Sequence, residues 1–290
     1  AHVGKDRCDV WAPTQGQTVA QILASKVSGL PPEKVNIHTT YMGCGLGRRA
    51  APDFVIEAVI ASKALGKPVK VVWTREEDIK YDFFRAAMCH RIEAGLDGQG
   101  QLIGWSHKAV AGSIMKDIAP QAIKDGVDIM SLWGLVDFPG SPDGNTILYE
   151  IPDFHLEFLI SQLPIPVAPW RSVQNGPNAF VTESFIDELA HAAGRDPIEF
   201  RLPLLKGSTR AQRVLQVAAE KAGWGKPVPG GHSLGIAQHR CFGTYVAQVA
   251  EISVNEKDGR LKVHRVVAAV DCGLAVNPDT VQAQIQGGII

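Results

Sequence analysis

Three glycines alternate through Gly43-Cys44-Gly45-Leu46-Gly47, and Arg48 and Arg49 follow at once. Glycine removes the Cβ that keeps a large ligand away from the main chain. The amides of such a loop can therefore point at a bound anion or cofactor, with permanent positive charge alongside. Three other spots carry polar groups fit for chemistry. Gln15, in Ala12-Pro13-Thr14-Gln15, is a neutral amide at the end of a strand, able to donate to an oxo group and accept from a substrate. Arg171, in Pro169-Trp170-Arg171-Ser172, lies in a proline-bounded loop just before a long helix. Val270-Asp271-Cys272-Gly273 leads through Asn277-Pro278 to a helix bearing Gln282, Gln284 and Gln286, followed by Gly287-Gly288. Taken one at a time, each has the plainer and commoner reading of a turn glutamine, a surface arginine or a solvated helix face.

Two familiar motifs compete for these residues. Gly231-His232-Ser233-Leu234-Gly235 satisfies G-x-S-x-G, but a hydrolase needs that serine on a strained turn between a strand and a helix. Here it follows Pro227, Pro229 and Gly230 and precedes a strand, and only Asp258 and His264 could complete the triad order. The glycine loop lacks the G-x-G-x-x-G spacing of a dinucleotide fingerprint, and no acidic residue ends a second strand about 20 residues on.

The 290 residues suffice for one large domain or two intimate ones, with a first part over 1–150 and a second over 151–290. With 29 basic and 30 acidic side chains there is no basic field for nucleic acid. Cys8, Cys44, Cys89, Cys241 and Cys272 are scattered and form no C-x-x-C pair, and the histidines form no H-E-x-x-H. The sequence thus offers no ligand set for a zinc ribbon or an iron–sulfur cluster, and no side-chain metal ligands are assigned. No apolar run reaches the ~18 residues of a membrane helix. The chain opens at Ala1 without methionine and stops within a helix-like run, and is read as a piece of a longer protein.

The elements that must position the polar groups follow from periodicity. Strands are predicted at 8–11, 35–40, 69–73, 88–96 and 101–111, the last two joined at Asp97-Gly98-Gln99-Gly100. Val69 to Trp73 should break at Thr74-Arg75-Glu76-Glu77-Asp78. A helix over 18–28 shows Val19, Ile22, Leu23 and Val27 on one face. Another opens at Pro52-Asp53, buries Phe54, Val55, Ala58, Val59 and Ala61, and ends at Gly66. The stretch 113–148, with Pro120, Pro139 and Pro142, reads as an irregular connection. A long helix over 177–193 carries Phe180, Phe185, Ile186, Leu189, Ala190 and Ala193 on its apolar side. Others start at Asp196-Pro197, at 212–222 and after Asn277. Strands near 233–238, 244–254 and 261–270 turn at Asp258-Gly259. The irregular alternation indicates an α+β fold with mixed sheets and packed helices.

In order along the chain these stretches resemble the molybdopterin-binding large subunit of the molybdenum hydroxylases, the xanthine dehydrogenase and aldehyde oxidase family. Within it the likeness is to the isoquinoline 1-oxidoreductase beta subunit and membrane-bound aldehyde dehydrogenase branch. The carrying blocks are Val10-Trp11-Ala12-Pro13-Thr14-Gln15; the glycine loop with Asp53-Phe54-Val55 and Glu57-Ala58; Pro68-Val69-Lys70 with Trp73-Thr74-Arg75-Glu76; Trp170-Arg171-Ser172-Val173; Glu183-Ser184-Phe185-Ile186-Asp187-Glu188-Leu189-Ala190; and Val270-Asp271-Cys272-Gly273 through Gln284.

The resemblance implies hydroxylation of an N-heterocyclic aromatic or oxidation of an aldehyde, with water as oxygen source. It implies that Gln15 bonds an oxo ligand of molybdenum and that Arg171 orients substrate or stabilises charge on it. Gly43, Cys44, Gly45, Leu46, Gly47 and Arg48 would approach the cofactor, and Gln284 would lie near the pterin. It further implies a molybdopterin cofactor, as a cytosine dinucleotide in bacterial members, and [2Fe–2S] clusters on a small partner subunit, with a cytochrome c as a further acceptor. A periplasmic or partner-mediated membrane location is favoured over the cytoplasm. Two departures stand out. Cys44 replaces a family glycine, which predicts strain wherever φ is positive, and Leu46 replaces a phenylalanine. The family's catalytic glutamate sits in Gly-x-Gly-Glu-Pro, and no such motif occurs among these residues. The reading from another class is a non-catalytic binding or assembly module.

Overall fold

The computed structural model describes residues 1–116, 118–136 and 147–290, in two compact units. Pro139 and Pro142 of the irregular stretch lie outside the described residues.

The first unit comprises Ala1–Ala87, Ala111–Ser131 and Ile160–Val173. Strand β1 (His2–Val3) pairs antiparallel with β2 (Cys8–Ala12), and helix α1 (Gln17–Ser28) carries the chain across to β3 (Val35–Thr39), parallel to β2 from Cys8↔Val35 to Ala12↔Thr39. Helix α2 (Asp53–Leu65) has Pro52 at its N-cap and Gly66, φ 61°, at its C-cap, as the sequence indicates. Cys8, Val10 and Val35 of the sheet pack with Ala20 and Ala24 of α1 and Val55 and Val59 of α2.

The inner face of α1 is therefore the alanine side. Val19 and Ile22, expected inside, are exposed, because two small residues allow a closer approach than the larger aliphatics would. The expected strand over 69–73 does not form. Val69 exchanges two hydrogen bonds with Ala1, its N–H donating to Ala1 C=O (2.9 Å) and its C=O accepting from the Ala1 ammonium (2.8 Å), but among the described residues no ladder continues from there to support a strand. The supposed break at Thr74 is instead the start of helix α3 (Arg75–Tyr81). Thr74 accepts from Glu77 N–H, and Glu77 accepts from Thr74 N–H, closing a capping box.

The second unit comprises Met88–Val110, Leu132–Leu159 and Gln174–Ile290. Its elements are β4 (Met88–Leu96), β5 (Leu102–Gly112, ending in the first unit), β6 (Asp153–Ser161, likewise), α4 (Asn175–Ala192), α5 (Pro197–Leu204), α6 (Thr209–Ala222), β7 (His232–Cys241), β8 (Thr244–Val254), β9 (Leu261–Asp271) and α7 (Pro278–Ile289). The sheets run β4-β5-β6 and β7-β8-β9, the second antiparallel throughout. Ile186, Leu189 and Ala190 of α4, Phe200 of α5, Leu215 and Ala218 of α6 and Ile236, Ala247 and Val249 of the second sheet form one core. Phe180, expected on the apolar side of α4, is 72% exposed; the helix is amphipathic only over its second half.

Caps fix the ends of these helices. Asp196 accepts from Ile198 and Glu199 N–H, Ser208 from Ala211 N–H, and Asn277 from Thr280 N–H. The α+β class is as expected. Strand β6 was not foreseen: Pro152 precedes a run whose Phe154, Leu156 and Phe158 alternate with His155 and Glu157, a period-two signal lost beside the irregular stretch.

Candidate functional site

The site grows from the turn after β2. Thr14 is buried, its hydroxyl donating to Arg49 C=O (3.3 Å) and accepting from Gly16 N–H (3.1 Å). Gln15 N–H also donates to Arg49 C=O (3.0 Å), so the turn is stitched to the far end of the glycine loop. The Gln15 side chain then reaches back, and its Oε1 accepts from Gly47 N–H at 3.0 Å. That leaves the Nε2 amine as donor, since a carboxamide presents one acceptor end and one donor end.

The glycines are required by what touches them. A Cβ on Gly45 would lie 2.3 Å from Gln15 Oε1. One on Gly47, where φ is +82°, would lie 2.7 Å from Pro169 C=O. The loop 43–49 thus lies against Gln15 on one side and against the backbone of Pro169 and Trp170 on another, all within the first unit. The backbone N–H groups of Gly43, Cys44, Gly45 and Leu46 donate no hydrogen bond among the described residues, whereas Gly47 N–H is already engaged. Strain falls on Leu46, φ 51°, rather than on Cys44, because the positive-φ positions of the loop are Gly43, Leu46 and Gly47, and only the middle one carries a side chain.

Arg48 was expected to face a cofactor. Its guanidinium instead forms a bidentate pair with Asp53 (both 2.8 Å), bonds Asp82 through Nε, and lies over the Phe83 ring. Burial opposes its charge, but the hydrogen bonds and charges of Asp53 and Asp82 outweigh it and hold the group above its ordinary pKa. These bonds tie the glycine loop to the start of α2 and to Asp82. Arg49 lies over Phe54 at 5.1 Å.

Arg171 is exposed, and its guanidinium has no hydrogen bond or ion pair among the described residues. Its backbone is another matter. Ser172 (φ 66°) and Val173 (φ 51°) are consecutive left-handed residues, costing on the order of 1–3 kcal/mol each, and valine is β-branched. Arg85 donates from Nη2 to Arg171 C=O (2.7 Å) and from Nη1 to Val173 C=O. Sequence reasoning missed Arg85 and Asp82. Nothing in Tyr81-Asp82-Phe83-Phe84-Arg85 signals a long-range bond by type or spacing.

Gln284 belongs to the second unit, on the exposed side of α7. A cleft of about 590 Å³ runs between β9 and α7, lined by Val266, Val270, Asp271, Val281, Gln282 and Ile285, and Gln284 is off it. Asp271 is held ionised, its pKa down to about 2, by the Arg210 hydrogen bonds (2.7 and 2.8 Å) and by Gly273 N–H. The hydrolase motif fails on geometry. Ser233 lies inside β7, and His264 bonds Ser253 Oγ (2.8 Å), while Asp258 accepts from Arg260 N–H. No group of three or more His, Cys, Asp or Glu among the described residues could hold a metal ion, and no described helix is long and apolar enough to cross a membrane.

Residues 1–126 and 209–290 each match a family model described as a molybdopterin cofactor-binding domain. The chain is 33% identical over 97% of its length to the isoquinoline 1-oxidoreductase subunit beta of Brevundimonas diminuta. The chain belongs to the molybdenum hydroxylase family. It is also 30% identical, again over 97% of its length, to a membrane-bound aldehyde dehydrogenase (pyrroloquinoline-quinone) of Gluconacetobacter polyoxogenes. It spans 36% and 39% of those two relatives. Its fold matches the aldehyde oxidoreductase of Desulfovibrio gigas, with a TM-score of 0.62 at 20% identity over 91% of this chain and 30% of that one. The site fits the cofactor that the molybdenum hydroxylase family binds. It presents a neutral carboxamide and uncommitted backbone N–H groups at 43–46 without side-chain metal ligands, on a loop whose glycines let Gln15 and Pro169 close against it.

Proposed function

We propose that this chain forms part of the molybdopterin-binding large subunit of an oxidoreductase that hydroxylates an N-heterocyclic aromatic or oxidises an aldehyde, with water as oxygen source. The observation that carries the reading is the meeting, at Gly47, of the Gln15 carboxamide, the uncommitted amides of 43–46 and the Arg171 loop.

Bound molybdopterin would supply the two-electron redox centre. Around it, the Gln15 carboxamide, a neutral group that does not titrate, would present Nε2 as donor, because Oε1 is fixed on Gly47 N–H. The amides of Gly43, Cys44, Gly45 and Leu46 approach the cofactor, and Arg48 keeps their loop in place. Arg171 stabilises negative charge building on a substrate nitrogen or carbonyl oxygen, and a preorganised donor of this kind is worth roughly 3–4 kcal/mol of barrier. Gln284 contributes near the pterin from the second part of the binding region, 151–290, and the glycine loop from the first, 1–150. The residues described include no Gly-x-Gly-Glu-Pro glutamate, so by themselves they are inactive. The five cysteines are dispersed, and we assign onward electron transfer to [2Fe–2S] clusters on a small partner subunit, then to an acceptor such as cytochrome c. The cofactor is assigned as the cytosine dinucleotide.

The test is metal and pterin analysis of the full-length protein from a cofactor-competent host. Molybdenum and pterin should co-purify. Their absence would favour a non-catalytic assembly module.

A further inference from the structure

Segment 82–85, between α3 and β4, touches both sides of the candidate site. At one end Asp82 accepts from Arg48 Nε, and Phe83 lies beneath the same guanidinium at 4.9 Å. In the middle, Phe84 N–H donates to Pro166 C=O (2.9 Å) and Phe84 C=O accepts from Ala168 N–H (3.2 Å), a short parallel bridge alongside Val167. At the other end Arg85 donates to the carbonyls of Arg171 and Val173.

Those last two bonds span the left-handed pair at Ser172 and Val173. A guanidinium is a planar fork, so one side chain can hold two carbonyls at a fixed spacing, which an ammonium cannot. Arg85 has no carboxylate partner among the described residues, and partial burial pushes its pKa down. A cation kept in place against that penalty, bonded only to two carbonyls of a strained turn, has its partner in that backbone.

We infer that segment 82–85 is a two-ended strap, and that Arg85 is a positioning residue which sets the direction of Arg171 by holding the carbonyls on either side of Ser172. Asp82 does the same for the glycine loop through Arg48. The catalytic consequence rests on the role proposed for Arg171. Ordinary packing by Arg85 would lower stability without touching the turn selectively.

The experiment uses the full-length enzyme with Arg85→Ala and Arg85→Lys, read by amide hydrogen exchange, molybdenum content and turnover. In Arg85→Ala the amides of residues 170–174 should exchange at least tenfold faster, with α1 unchanged and molybdenum retained. Turnover should fall about 10- to 100-fold. Arg85→Lys, which keeps charge and bulk, should lie between this variant and the parent and stands in if the alanine variant does not fold. Adding Arg85→Ala to Arg171→Ala should cost no further turnover, because Arg85 acts through Arg171. Unchanged exchange at 170–174, or losses that multiply in the double variant, would overturn the proposal. Full turnover in Arg171→Ala would remove the reading of the site itself, and the positioning role with it, even where exchange shows that Arg85 holds the turn.

Discussion

Arg201 and Arg171 stand at opposite extremes of commitment. Arg201, in α5, is fully buried and donates five hydrogen bonds: to Glu183 Oε2 (3.1 Å), Asp187 Oδ1 (2.6 Å), Tyr149 Oη (3.1 Å) and the carbonyls of Glu183 and Pro197. Burial raises the Glu183 pKa, and the Arg201 charge, the Tyr149 hydroxyl and Gln238 N–H oppose the rise. Each of the three Arg201 guanidinium nitrogens has an acceptor supplied by the chain. Arg171 has none for its side chain, yet it precedes two left-handed residues, Ser172 and Val173, and its carbonyl is held by Arg85. Removing a buried, paired arginine strands the carboxylate it leaves behind. The open guanidinium of Arg171, beside a strained turn, is the ground of the role proposed for it.

The contrast is sharpest where one substitution affects stability and the other only rate. Arg201→Met should lower the unfolding free energy by about 3–5 kcal/mol in denaturant titration, since it leaves Glu183 buried and unpaired. Arg171→Ala should instead leave the melting temperature and molybdenum content unchanged while turnover falls roughly 100- to 1,000-fold. Exchanged effects would break the comparison.

Acid should test the second unit as well. His107, fully buried beside His90 (2.9 Å), has its pKa lowered to about 4, first by burial and then by the His90 charge. The unfolded chain titrates near 6.5, so between about 6.5 and 4 it binds more protons than the folded one. The contribution is intact above that window and is lost as pH falls through it, on the order of 2 kcal/mol by pH 5. Unfolding measured at pH 7 and pH 5, with and without His107→Gln, should show a difference that shrinks in the variant. Gly47→Ala should cost about 1–3 kcal/mol through its left-handed φ and the Pro169 carbonyl, and should reduce cofactor content; normal molybdenum loading would argue against the close approach. Least of all, Thr74→Ala should remove about 1 kcal/mol from α3 with turnover untouched.

Elements whose cause is local could be read from the sequence. The opening of α2 at Pro52-Asp53, its stop at Gly66, the Asn277 cap and the turn at Asp258-Gly259 are all stated by residue types a few positions apart. The Thr74–Glu77 box was equally legible and was outweighed by the β-branched run before it. Other features depend on a partner far along the chain. Val69 to Trp73 needed a neighbouring strand, the inner face of α1 depended on how near α2 comes, and Arg85 reaches a turn 86 residues away. In the site, Gln15 and the glycine loop were visible as types in an order, and their mutual hydrogen bond was not. Arg48 looked like a loose charge because the second of its two carboxylates, Asp82, is 34 residues on.

Gly45 and Gln15 occupy what is in effect one volume, 30 positions apart in the chain. A methyl group at 45 displaces the carboxamide from Gly47, and a shorter residue at 15 vacates the space that forbids the methyl. The two positions therefore cannot be varied independently, and any mutational library that reaches one of them should randomise both as a single codon pair.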